Sequence, residues 1–162
     1  MTSPSGRQLI TLRVDGEEVE VTVRPHHFLV DVLRQQVGRI GVKEGCESAS
    51  CGACTVLLDG VPVLSCLLLA MDAVGREITT VAGLGRPPDG LHPLQEAFIK
   101  HHAVQCGFCT PGILLVARAL LEENASPTEE EVRQALAGNL CRCTGYVRIV
   151  RAVLEAAALQ RR

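Results

Sequence analysis

The chain has 162 residues, a formal charge of −2 at pH 7 and 2% aromatic content, with no Trp and a single Tyr, Tyr146. That balance argues against nucleic acid as a partner, because it offers neither a phosphate-neutralising surface nor a set of base-stacking rings. The longest apolar run, Cys66 to Met71, is far too short to span a membrane.

Met1 to Leu12 carries a lone Arg7 and no long apolar stretch, so no secretory or twin-arginine signal is expected and the protein is expected in the cytoplasm. Thiols stay reduced there, which turns eight cysteines from a disulfide argument into one for metal binding or catalysis. The length suits one large domain or two small ones, and cores of about 80 residues would each need a staple such as a metal cluster.

In chain order, Leu9 to Val14 alternates as a strand, Asp15-Gly16 is a turn signal, and Val19, Val21 and Val23 alternate as a second strand, together a hairpin. Leu29, Val32, Leu33 and Val37 recur at helical spacing, and Gly38 and Gly41 end that segment. A glycine-punctuated loop from Gly45 to Cys54 precedes a strand at Thr55 to Leu58, the Asp59-Gly60 turn and a return strand through Val61 and Val63. Glu77 to Val81 reads as the last strand.

Composition changes at Gly83 to Gly90, which reads as a linker, and strand signals vanish beyond it. Helices are expected from Pro93 to about His102 and from Pro111 to Glu123, the latter with Thr110 as capping hydroxyl. Thr128 and Glu131 have capping-box form, Ala137-Gly138 supplies a stop, and Tyr146 to about Leu159 makes a fourth helix. The expected architecture is α+β: a domain over 7–82, a linker over 83–92 and a helical domain over 93–160.

All eight cysteines fall into two quartets, Cys46, Cys51, Cys54 and Cys66, then Cys106, Cys109, Cys141 and Cys143. The first, C-x4-C-x2-C and a distant cysteine, has the plant-type ferredoxin spacing, and four thiolates are what one [2Fe-2S] cluster requires. The second, C-x2-C and a later C-x-C, fits zinc or an iron–sulfur cluster equally by spacing alone. Its two cysteine pairs stand just before two of the helices, so packing those helices face to face would let the connectors share one centre. Gly45, Gly52, Ala53, Gly107, Gly112, Gly138 and Gly145 leave backbone free to approach a cluster and offset its negative charge with N–H groups.

Gln105-Cys106-Gly107-Phe108-Cys109-Thr110-Pro111-Gly112 and Gly138-Asn139-Leu140-Cys141-Arg142-Cys143-Thr144-Gly145-Tyr146 are long, specific strings. With them the chain, from Leu9 to about Ala156, resembles the small iron–sulfur subunit of the molybdenum hydroxylases. That family includes xanthine dehydrogenase, aldehyde oxidoreductase, aerobic carbon monoxide dehydrogenase and 4-hydroxybenzoyl-CoA reductase. The resemblance implies an N-terminal plant-type ferredoxin-like (β-grasp) domain and a C-terminal four-helix bundle with pseudo-twofold symmetry, each holding one [2Fe-2S] cluster. It implies electron relay between a large molybdopterin-binding subunit and a medium FAD-binding subunit, in a heterotrimer or a dimer of heterotrimers. The Cys106, Cys109, Cys141 and Cys143 cluster would lie nearest molybdenum, the other nearer flavin, and Gln105 matches the glutamine that hydrogen-bonds the pterin.

One position departs from the family pattern: Ala49 stands where members usually have Gly or Ser, and Ala tolerates positive φ less well. The chain ends at Arg162, so the molybdenum and flavin domains fused onto some members are expected on separate polypeptides. The alternative reading is a free-standing two-cluster electron carrier.

Other residues read more plainly. His26, His27, His92, His101 and His102 are not expected to be ligands, since adjacent histidines on a helix diverge and four thiols are already available at each site. Glu129, Glu130 and Glu131 complement a helix start. Arg142 could raise a cluster potential or pair with a carboxylate. Tyr146 is expected to pack beside the second cluster. No nucleophile–base pair, phosphate-cradling loop or paired carboxylates stand out, so no catalytic residue is assigned and substrate turnover by this chain alone is not expected.

Overall fold

The computed structural model describes residues 6–85 and 90–161. The first half builds a five-stranded mixed sheet in the order β2-β1-β5-β3-β4, from β1 (Gln8–Val14), β2 (Glu17–Val23), β3 (Thr55–Leu58), β4 (Val61–Leu64) and β5 (Glu77–Thr79). β1 pairs antiparallel with β2 and parallel with β5, while β3 pairs antiparallel with both β4 and β5. Both expected two-residue hairpins form. Asp15-Gly16 and Asp59-Gly60 all take positive φ, 55° and 79°, then 50° and 84°, as the primed turns that match strand twist require.

Strand alternation decides what each face buries. Ile10, Leu12 and Val14 of β1 turn inward against Leu29, Val32 and Leu33 of the helix α1 (Leu29–Gln35). β3 is buried at every position because it is covered on both sides: Val56 and Leu58 join this first core, while Leu57 enters the core of the helical half. Each such fully buried side chain contributes about 2 kcal/mol relative to exposure. A buried carboxylate ties the sheet's end together: Asp15 accepts from Thr80 N at 2.7 Å, Thr80 Oγ1 at 2.9 Å and Arg39 Nε at 2.9 Å.

The second half contains α2 (Pro93–Lys100), α3 (Thr110–Glu123), α4 (Glu129–Ala135) and α5 (Val147–Gln160). α5 buries Ile149, Val150, Val153 and the small Ala152, Ala156 and Ala157, a helical stripe that lets α2 pack closely. Lys100 and His101 at the end of α2 both pair with Glu155 of α5. Among the described residues no helix is long and apolar enough to cross a membrane.

Several expectations shift by a residue or two, each for a local reason. α1 stops at Gln35, before Val37, whose N–H turns back to the Val32 carbonyl at 3.1 Å ahead of Gly38 in the left-handed region. β5 ends at Thr79 rather than Val81, because the Thr80 hydroxyl caps a 3₁₀ turn over Val81–Gly83. Thr110 is not the cap of α3: it is the first helical residue and Cys109 takes the cap position, since the C-x2-C turn runs straight into the helix. The Thr128–Glu131 capping box forms, and His92 and Gln95 make another before α2. Of the expected linker over 83–92, residues 86–89 lie outside the described residues, and Leu84 is buried in the helical core.

Candidate functional site

The first quartet is carried by the loop between α1 and β3 and by the turn after β4. Left-handed backbone at Glu47 (φ 51°), Ala49 (φ 62°) and Gly52 (φ 70°) coils this loop tightly, so that amide groups face the sulfurs. The Ser48 and Cys51 N–H groups serve the Cys46 thiol, Ala53 N–H serves Cys51, and Cys66 N–H serves Cys54. The thiols meet in pairs, Cys46 with Cys51 and Cys54 with Cys66, and the Cys51 and Cys66 thiols feel one another's charge.

The acidities diverge accordingly. The Ser48 amide, then the Cys51 thiol and the Ser48 hydroxyl, hold Cys46 down at about 6. Burial pushes Cys54 up to about 11 despite the Cys66 amide, and burial raises Cys51 as well. A surface groove of about 400 Å³ lined by Phe28, Val30, Asp31, Glu44 and Glu47 reaches Cys66, giving that side of the quartet an acidic rim.

The second quartet joins the turn before α3 to the loop before α5. Cys106 and Cys143 are exposed, with sulfurs 3.5 Å apart, while the half-buried Cys109 and Cys141 pair beneath them. Gly107 at φ 81° and Gly145 at φ 63° make the two turns that present these thiols. Burial, then the Cys141 thiol, pushes Cys109 up to about 12. Burial also opposes the Cys141 thiolate, but the Thr144 hydroxyl at 3.0 Å and the Thr144 and Cys143 amides outweigh it and lower that thiol. Cys106 is lowered chiefly by the Phe108 amide.

The thiols of each predicted quartet thus lie near one another in pairs, and all-sulfur chemistry with inward amides suits an anionic iron–sulfur rhomb. Among the described residues no group of three or more His, Cys, Asp or Glu side chains is set closely enough to hold a metal ion, the thiols approaching one another in pairs. Gln105 is exposed beside Cys106. The histidines have other partners: His92 caps α2 and is kept below its ordinary value by burial and then the Arg118 charge, His101 pairs with Glu155, and His26 and His27 meet edge to face.

Two glycines have a further role that their place beside the cysteines does not predict. A Cβ on Gly112 would lie 2.5 Å from the Gly52 carbonyl oxygen, and one on Gly52 would lie 2.3 Å from the Gly138 carbonyl oxygen. Their bareness serves contact between the two ligand loops. Asn139 and Thr144, whose side chains hold these loops, carried no sequence signal beyond membership of the quoted string. Phe108 is a third such residue: its ring lies 3.1 Å from where a Cβ on Gly45 would stand, so it bridges the two loops from within the second C-x2-C.

Comparison with known proteins adds the lineage. Residues 12–78 match the 2Fe-2S iron-sulfur cluster binding domain family, and residues 80–154 match the [2Fe-2S] binding domain family. The chain is 56% identical over 155 residues to the nicotine 6-hydroxylase small subunit of Paenarthrobacter nicotinovorans, covering 95% of this chain and 92% of that one. It is 47% identical over 145 residues to the nicotinate dehydrogenase small FeS subunit of Eubacterium barkeri, covering 89% and 91% of the two chains. A chain of quinoline 2-oxidoreductase from Pseudomonas putida 86 superposes with a TM-score of 0.92 at 46% identity, over 96% of this chain and 97% of that chain. Two cluster-binding domains, in this order and over this length, make the chain a member of the small iron–sulfur subunit family of the molybdenum hydroxylases, a non-catalytic oxidoreductase subunit with two [2Fe-2S] clusters.

Proposed function

We propose that the chain relays electrons between a molybdopterin site on a large partner subunit and FAD on a medium partner subunit, in a heterotrimer or a dimer of heterotrimers in the cytoplasm. Cys46, Cys51, Cys54 and Cys66 hold one cluster, and Cys106, Cys109, Cys141 and Cys143 the other. When bound, each cluster supplies reversible one-electron storage without bond making. Residues 7–82 are read as the ferredoxin-like (β-grasp) domain and 93–160 as the four-helix bundle domain, joined by 83–92, a division supported by the two separate hydrophobic cores.

The observation that carries this reading is the direct link between the two ligand loops: Leu140 N–H, next to Cys141, donates to the Cys51 carbonyl at 2.8 Å. Two four-thiol sites whose ligand loops are hydrogen-bonded to one another form a wire with two ends. Exposure of Cys106 and Cys143 beside Gln105 supports that end as the one facing the pterin, with Gln105 donating to or accepting from it. Paired thiols supply two ligands per iron, as a two-iron rhomb needs, and the match of each half to a [2Fe-2S] domain family favours that cluster over zinc. The chain's own work is to hold the thiolates, direct amides at the sulfurs and keep water from Cys54 and Cys109.

The test is electron spin resonance of the reduced complex carrying Cys109→Ser or Cys143→Ser. One of two distinct signals should vanish and molybdenum-to-flavin transfer should slow. Survival of both signals in either variant, or stoichiometric zinc without acid-labile sulfide in the native protein, would sink the assignment.

A further inference from the structure

The two ligand loops meet backbone to backbone, and one buried side chain occupies the junction. Asn139 is 4% exposed, and its Nδ2 donates to the Gly52 carbonyl at 2.9 Å and lies 3.4 Å from Thr55 Oγ1. Gly52 follows Cys51 directly, Asn139 precedes Cys141 by two positions, and Gly112 follows Cys109 by three. A Cβ on Gly52 would lie 2.7 Å from Asn139 Nδ2, and one on Gly112 would lie 3.0 Å from the same atom. Three segments that each carry a thiol ligand therefore touch the same amide group.

Asn139 is itself held from both sides. Its N–H donates to the Leu136 carbonyl at 2.9 Å, and its carbonyl accepts from the Tyr146 hydroxyl at 2.9 Å. An apolar side chain could fill this space, but only a donor can fix the Gly52 carbonyl at one distance and one angle. Both glycines sit where a methyl group would force backbone atoms apart, so the junction tolerates no added spacer.

We propose that Asn139, with the bare backbones of Gly52 and Gly112, is a positioning residue that sets the separation of the two quartets and so the rate of electron passage between them. The inference rests on the two-cluster reading above. The step it governs moves one electron: one cluster is oxidised by one, the other reduced by one, and no bond forms or breaks. Tunnelling weakens steeply with distance, so a small parting of the loops is felt in the rate while both ligand sets remain whole.

The experiment uses the full chain in its complex, loaded with both clusters and reduced with dithionite. Gly112→Ala places a better helix former in α3, so any loss arises from the methyl pressing on Gly52 and not from the helix. Asn139→Asp keeps the volume and turns the donor into an acceptor facing the Gly52 carbonyl. The expected result is full iron and sulfide content with both resonance signals present, a narrowed magnetic splitting between the reduced clusters, and several-fold slower intercluster transfer. Unchanged splitting and rate in both variants overturn the proposal. So does loss of a cluster in both, which would make the junction part of site assembly and not of spacing. Absence of either signal in the unsubstituted complex would instead overturn the two-cluster reading.

Discussion

The Tyr146 hydroxyl accepts a hydrogen bond from Cys141 N–H at 2.7 Å while donating to the Asn139 carbonyl. This closes the ligand-bearing segment 139–146 into a ring braced by a half-buried aromatic side chain. Tyr146 takes left-handed φ of 66° to reach that position, with its own N–H donating to Thr144 Oγ1 at 3.2 Å.

Tyr146→Phe removes both hydroxyl bonds and preserves the ring packing. The expected cost is about 1 to 2 kcal/mol, the net worth of two hydrogen bonds. Thermal unfolding measures the loss. Resonance spectroscopy should find the second cluster's line shape altered and the first unchanged, and equal change in both signals would refute the local role.

Ala49 stands at φ 62°, in the left-handed region where a Cβ crowds the carbonyl oxygen. Ala49→Gly relieves that strain and should stabilise the protein by about 1 kcal/mol. The reading is the denaturant midpoint of the loaded protein, which rises if the strain is real and falls if glycine's added freedom in the unfolded chain dominates.

Glu155 is held below its ordinary carboxyl value of 4.5 by the Lys100 ammonium first and His101 second. A depressed folded value means the stabilisation is complete above the unfolded value and fades as pH falls through the folded one. Thermal midpoints of the parent and Glu155→Gln should therefore differ near neutral pH and converge in acid below 4.5. A constant offset down the whole acid limb would contradict the α2–α5 tie.

Thiolate, not thiol, attacks an alkylating agent. In reduced protein stripped of iron, Cys46 at about 6 is ionised at neutral pH, whereas Cys109 at about 12 is not. Iodoacetamide at pH 7, followed by peptide mass spectrometry, should label Cys46 well before Cys109. Because loading requires all four thiolates, cluster insertion should release protons and weaken as pH falls. Equal labelling would mean that the loop and bundle environments described above are lost without the metal.

Local features were legible in the chain because they are local in cause. Asp15-Gly16 and Asp59-Gly60 demand primed turns, Thr128 and Glu131 complete each other within one helical turn, and Ile149, Val153 and Ala156 recur at the helix period. Boundaries were less legible at Thr80 and Cys109, where a side-chain cap and a ligand turn compete with strand and helix continuation. The contact of Gly112 with Gly52 was not legible for a different reason: a glycine near a cysteine looks the same whether it makes room for a cluster or for another segment of backbone.

Eight cysteines in two spacings, and two long strings around them, determined by sequence alone which atoms could bind metal and which lineage the chain belongs to. Only the tertiary structure decided how the two sites stand to one another. The Asn139 side chain reaches Gly52 across 87 positions of sequence. Periodicity and spacing report what a segment prefers by itself. Which two segments touch depends on how both cores pack, and that is an energy summed over the whole fold.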